Sequence, residues 1–152
     1  MSSAVALKGK VAHGPAPSRA EFRELLEQVL VEVDGDQRIG PLMRAAGIRL
    51  RFRYPDVDTT LNVAATDEDG HHLKWAFSDD IDWKPKLELE MDSDVANGYL
   101  QGRESLAVAI ARGRVRVSGD SRVTLLYLPA MRLVCEPYRR IIGADYPHLA
   151  IA

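Results

Sequence analysis

Four segments of this chain alternate apolar and polar residues with a period of two, and that pattern most constrains its fold. In "IRLRFRY", Ile48, Leu50, Phe52 and Tyr54 share one face and Arg49, Arg51 and Arg53 the other. "VDTTLNVA" repeats the device, with Val57, Leu61 and Val63 against Asp58, Thr60 and Asn62. "DEDG", residues 67 to 70, predicts a hairpin turn whose Asp-Gly pair suits positive φ. Leu73, Trp75 and Phe77 form the apolar side of a third strand. "KLELEMD" supplies a fourth, with Leu87, Leu89 and Met91 inward and Glu88 and Glu90 outward. Strands with one oily and one wet face predict a single antiparallel-type sheet covered on one side.

Helical patterns flank these strands. Ser18 and Glu21 make a capping box, and Phe22, Leu25, Leu26, Val29, Leu30 and Val33 follow as one apolar stripe. "DGD" at 34 to 36 ends that helix. A shorter helix carries Ile39, Leu42, Met43 and Ala46 and ends at Gly47 as a left-handed cap. After the fourth strand, Asp92 or Ser93 caps a helix through Val95, Tyr99 and Leu100. Gly102 separates it from an apolar helix at 104–111, which Gly113 ends, and 114–118 reads as a fifth strand. Gly119-Asp120-Ser121 launches a long C-terminal helix that Pro129 should kink or restart, with a second bend at Pro137. The class is α+β. Residues 1–17, with "GPAP", read as a flexible leader, 18–146 as one domain and 147–152 as a tail.

A chain of 152 residues buries about 70% of its unfolded surface, enough for a real core. The lone cysteine, Cys135, excludes an internal disulfide. "MSSAVALKGK" has no signal-peptide core, no apolar run approaches the ~18 residues of a membrane span, and "HLAIA" is no peroxisomal address. The expectation is a cytoplasmic protein. Residues 67–82 carry six acids against Lys74, whereas 112–140 carry seven arginines against Asp120 and Glu136. These read as solvated faces, with transient contact to an anionic membrane surface left open.

Little in the sequence carries chemistry. A single-strand nucleic-acid surface needs arginines and aromatics on one face, and the pleat of "IRLRFRY" separates them. Gly113 and Gly119 flank a strand instead of bunching before a helix as in a phosphate loop. His71 and His72 are adjacent on an extended segment and point opposite ways, which disfavours a shared metal. Asp79, Asp80 and Asp82 lack calcium-loop spacing. Arg132 and Arg139 could lower the Cys135 pKa, but the bland reading is a buried inert thiol. No catalytic set, cofactor motif or metal site is assigned.

"LELEMDSDVANGYLQGRESLAVAIARGRVRVSGDSRVTLLYLPAMRLV", residues 87–134, resembles the sterol carrier protein type 2 lipid-transfer domain. Leu89, Met91, Gly102, Leu106, Gly113, Gly119 and Asp120 carry the likeness, which extends more loosely over about residues 20–142. The resemblance implies a five-stranded, mostly antiparallel sheet in the order 3-2-1-4-5. About five helices would cover one face around an apolar tunnel. Glu88 and Glu90 would then lie between the Arg49/Arg51/Arg53 strand and the Arg114/Arg116 strand, giving a charge ladder on the open face.

The implied function is non-catalytic binding or transfer of a hydrophobic ligand: a fatty acid, acyl-CoA, sterol-like or isoprenoid lipid. Candidate lining residues on the strands are Phe52, Leu61, Trp75, Phe77, Leu89 and Met91. The helices would add Leu100, Leu106, Ile110, Leu125, Leu128 and Met131, with Arg103 or Arg132 near the mouth for an anionic head group. The proline-interrupted final helix would be a movable flap. A cavity enzyme is the alternative, needing polar groups such as Tyr54, Thr59 or Tyr99 inside, and a non-binding dimerisation module is a third. Monomer and homodimer both stay open.

Overall fold

A computed structural model describes residues 15–151. Residues 1–14 of the expected leader, and Ala152, lie outside the described residues. The described residues form six α-helices: α1 (Arg19–Gly35), α2 (Ile39–Ala46), α3 (Ser93–Leu100), α4 (Leu106–Ala111), α5 (Thr124–Arg132) and α6 (Cys135–Asp145). The strands are β1 (Arg49–Tyr54), β2 (Thr59–Ala65), β3 (Leu73–Ala76), β4 (Leu87–Glu90) and β5 (Arg116–Gly119). Their order is β3-β2-β1-β4-β5, as expected. Three neighbouring pairs are antiparallel, and the central pair, β1 with β4, is parallel.

The register of that central pair sorts its side chains by face. Leu50 lies beside Leu87 and Phe52 beside Leu89, all buried, while Arg51 lies beside Glu88 and Arg53 beside Glu90. Arg53 Nε is 3.2 Å from Glu88 Oε1, Arg51 Nη1 is 3.7 Å from it, and Arg116 on β5 reaches Glu90 at 2.5 Å. Asp79 adds a further acid 3.3 Å from Arg53. The charge ladder is present, but Arg114 is not part of it. The Arg114 and Val115 amides donate to the Ala109 carbonyl at the end of α4, so β5 starts at Arg116, two residues later than expected. Arg114 pairs instead with Glu104.

The polar face is also less open than the alternation implied. Asn62 is 0% exposed, because the segment after β3 folds over it. Its amide donates to the Ser78 carbonyl at 2.5 Å and its oxygen accepts from Arg51 Nε at 2.9 Å. A strict period of two reports which face a residue occupies. It cannot report that a loop returns to cover part of that face.

Ser18 Oγ accepts from the Glu21 amide at 3.2 Å, which is half of the capping box. The Glu21 carboxylate turns away to His148, at 2.5 Å. Gly47 takes the left-handed conformation (φ 63°, ψ 39°) that ends α2, and a Cβ at Gly119 (φ 110°) would run into the Lys86 carbonyl. The long C-terminal helix is two helices. Pro129 sits inside α5 without ending it, and the break falls at Leu133–Val134, just before Pro137. A restart there puts Pro137 in the first turn of α6, where its missing N–H and its ring cost nothing.

Asn97, on α3 and 0% exposed, ties the described ends of the chain together. Its amide donates to the carbonyls of Pro15 (3.2 Å) and Leu149 (3.1 Å). Its oxygen accepts from Gln101 (2.7 Å) and from the Tyr138 hydroxyl (2.8 Å). Asn97→Ala leaves buried polar partners unmatched and should cost about 2–4 kcal/mol of stability in chemical denaturation. Asp34, near the end of α1, accepts from the His72 (2.7 Å) and Leu73 (2.9 Å) amides and lies 2.6 Å from His71 Nδ1. Partial burial pushes the Asp34 carboxyl up, but the His71 bond and the two amides outweigh it and hold the group below 3.8. The Asp34 hydrogen bond holds His71 above 6.5. The aspartate contribution is therefore lost as pH falls through its lowered value. The histidine contribution is complete below 6.5 and is lost as pH rises through its raised value. Melting temperature should fall as pH is raised from about 6 to 8, and His71→Gln should flatten that decline.

Candidate functional site

The apolar faces of the strands and helices meet in a space that is mostly filled. A cavity of about 70 Å³ remains between sheet and helices. Leu26, Val29 and Val33 of α1 wall it on one side, and Leu50, Phe52, Leu61 and Val63 of the central strands form its floor. Tyr99, Leu100, Met131, Val134 and Tyr138 close it, and no charged residue lines it. The volume is about half that of the ~150 Å³ cavity that admits benzene, so a fatty chain does not fit it in this conformation.

A second, larger space of about 610 Å³ opens beside it, walled by Leu106 of α4, Leu128 of α5 and the α5–α6 junction. That is within the usual range for small-molecule sites. It is amphipathic: Arg38, Arg132, Arg139, Glu104 and Glu136 share its walls with the apolar residues. Tyr99 and Met131 line both spaces and form the partition between them.

The residues expected to line a tunnel divide into two groups. Phe52, Leu61 and Leu100 border the inner cavity, Leu106 and Leu128 the groove, and Met131 both. Leu89 and Met91 are packed in the core, and Trp75, Phe77 and Ile110 are half-buried against it, away from both spaces. Trp75 points its indole N–H at Glu27 (3.0 Å), and Arg23 lies over the Phe77 ring. Leu125 is 84% exposed and faces solvent. Arg132 lines the groove, whereas Arg103 is engaged with the Ile151 carbonyl at 2.7 Å. The lining contributed by α1 and by Tyr138 was absent from the expectation, and Tyr99 entered it only as an interior polar group of the enzyme alternative. The α1 stripe was visible in sequence, but its spacing cannot tell a cavity wall from ordinary core.

The polar groups at the cavity differ in how they are satisfied. Tyr138 donates to Asn97; Thr59, expected inside, lines neither space and donates to the Val57 carbonyl (2.9 Å), closing the β1–β2 turn. The hydroxyls of Tyr54 and Tyr99 make no hydrogen bond among the described residues. Burial pushes the pKa of both well up, and Tyr54 is raised further by Tyr99 and Tyr138 nearby. Cys135 is half-buried, its Sγ 3.7 Å from the Tyr99 carbonyl. Burial raises its thiol pKa, and the opposing pull of Arg139 and Arg132 is smaller, so the thiol is unactivated. His71 is taken by Asp34, and His72 packs against Gly40. Among the described residues, no group of three or more His, Cys, Asp and Glu side chains could hold a metal ion, and no helix is long and apolar enough to cross a membrane.

No family model and no curated protein sequence matches the chain. Solved structures do. Sterol carrier protein 2 superposes with a TM-score of 0.52 at 12% identity, over 76% of this chain and 94% of that one. The UbiJ-SCP2 ubiquinone synthesis protein gives 0.52 at 16% identity, over 70% and 84%. The sec-alkylsulfatase Pisa1 from Pseudomonas sp. matches at 14% identity with a TM-score of 0.49, and the chain spans only 14% of its length. The first two define the architecture: this chain has the sterol carrier protein 2 fold.

The inner cavity should tolerate an added methyl where a packed site does not. Val63→Ile, at the cavity, should leave stability unchanged or raise it by up to ~1 kcal/mol in urea unfolding. Val115→Ile, in filled core, should lower it by about 1–3 kcal/mol.

Proposed function

We propose that this protein binds and transfers a hydrophobic ligand, with the ligand held between the sheet and the C-terminal helices. The observation that carries this reading is the uncharged cavity beside the larger groove, with Tyr99 and Met131 lining both, in a fold shared with sterol carrier protein 2. Swinging those two side chains aside would join the spaces into one tunnel. The break at Leu133–Val134 gives the wall a joint for that movement, since Leu133 faces the groove and Val134 the cavity. Each methylene transferred from water contributes about 0.8 kcal/mol, so ten supply roughly 8 kcal/mol against the entropy of association.

The exposed surface of α5 supports delivery from a membrane surface. Leu125 and Leu126 are exposed on α5, beside the exposed arginines Arg122 and Arg132, a pairing that fits anionic lipid. The free thiol of Cys135 is in keeping with a reducing, cytoplasmic setting. Native mass spectrometry of the purified protein should show a co-purifying lipid, and delipidated protein should take up a fluorescent long-chain analogue. Met131→Trp, which blocks the partition, should weaken that uptake at least about tenfold with the fold intact by circular dichroism. Delipidated wild-type protein that takes up neither a fatty-acid nor a sterol probe overturns the reading.

A further inference from the structure

Tyr54 and Tyr99 are 3% and 8% exposed, and both line the inner cavity. Buried tyrosines ordinarily find a partner for the hydroxyl, as Tyr138 does on Asn97, Tyr127 on the Gly47 carbonyl (2.9 Å) and Tyr146 on Glu24 (2.5 Å). Tyr54 and Tyr99 are the exceptions among the described tyrosines, and both side chains line the same void. Neither oxygen is among the described buried polar atoms that are sealed off without a partner, so each opens onto accessible space at the cavity both side chains line, and phenylalanine would fill either position with the same ring. The rings themselves are well packed: Tyr54 lies edge-on to Phe22 at 4.7 Å and stacks on Phe52 at 6.1 Å. Packing thus explains the aromatic rings and leaves the two oxygens unexplained.

We propose that the Tyr54 and Tyr99 hydroxyls are a polar anchor that selects a lipid bearing a neutral oxygen acceptor, a ketone, ester or alcohol, at the end that enters the cavity. This rests on the lipid-binding reading above and names the ligand class within it. The cavity wall carries no cation, so an ionised carboxylate entering it would lose its hydration without a counter-charge. A carbonyl or hydroxyl oxygen loses far less and gains two phenolic donors. The arginines that could meet an anion belong to the outer groove, on the far side of Tyr99 and Met131. A charged head would therefore stay outside while the neutral oxygen goes in.

The test uses three probes of equal chain length: a long-chain methyl ketone, the matching alkane and the matching carboxylate, each titrated into delipidated protein. The wild type should bind the ketone about tenfold more tightly than the alkane or the carboxylate. The Tyr54→Phe/Tyr99→Phe double variant should lose that preference while keeping its affinity for the alkane. Without ligand it should melt at the same temperature as the wild type or higher, because nothing satisfied has been removed. Equal binding of the three probes by the wild type, or a preference that survives in the double variant, overturns the anchor and leaves lipid binding standing. A ligand-free double variant that melts several degrees lower shows the hydroxyls to be partnered and overturns it too. Failure of the wild type to bind any of the three overturns the anchor together with the lipid-binding reading.

Discussion

The parallel contact between β1 and β4 is the interaction on which the remaining structure depends. Strands distant in sequence meet there, with β2 and β3 extending the sheet on one side and β5 on the other. The pairing is specified on both faces at once. A slip of one residue would put Arg51 and Arg53 into the core and carry Leu87 and Leu89 to the polar face or strand them beside charges. Individual surface ion pairs contribute little, on the order of 0–1 kcal/mol, but here they share an edge with fully buried leucines. The hydrophobic face supplies the energy and the charged face excludes the alternatives.

That division explains why so much of the architecture was legible from the chain alone. Alternation in "IRLRFRY" and "KLELEMD" fixes the inward residues whatever the strand order, and the likeness at Gly102, Gly113, Gly119 and Asp120 supplied the order itself. What escaped was set by contacts that no local pattern encodes. Asn62 reads as an exposed polar position until Ser78 is folded back over it. Arg114 reads as strand until its amide is taken by the Ala109 carbonyl. The helix break was anticipated near the prolines, yet it falls ahead of Pro137 and not at Pro129. A proline five residues into a helix can be absorbed where solvent serves the freed carbonyl, and Leu125, four residues before it, is exposed.

The candidate site was legible in part for a related reason. Phe52, Leu61, Leu100, Leu106, Leu128 and Met131 reach one of the two spaces, because inward-facing apolar residues must border whatever the sheet and helices enclose. Periodicity says nothing about which inward residues touch a void and which touch each other. Leu89 and Met91 obey the same pattern as Phe52, but they lie in solid core. Leu125 shows the opposite error. It is the second residue of α5, in an apolar run with more leucines than the helix has inward positions, and it falls on the solvent side. The tyrosines carried a signal that hydrophobicity does not register, namely an aromatic ring wanted for its size together with an oxygen that packing does not need.

The small inner volume bears directly on how binding could work. A cavity of about 70 Å³ cannot be entered by a chain without side chains moving, so part of the free energy of burying methylenes must be spent on displacing Tyr99, Met131 and their neighbours. The shut arrangement is held by contact between apolar walls. The Tyr54 and Tyr99 hydroxyls have no protein partner among the described residues and open onto the space these walls leave. The asymmetry with Asn97 is instructive. There, four hydrogen bonds lock α3 to α6 and to both ends of the described chain, so that side of the partition is rigid. On the proposed reading, any opening would fall to the opposite wall, where α5 exposes Leu125 and Leu126 and joins α6 through the two residues Leu133 and Val134.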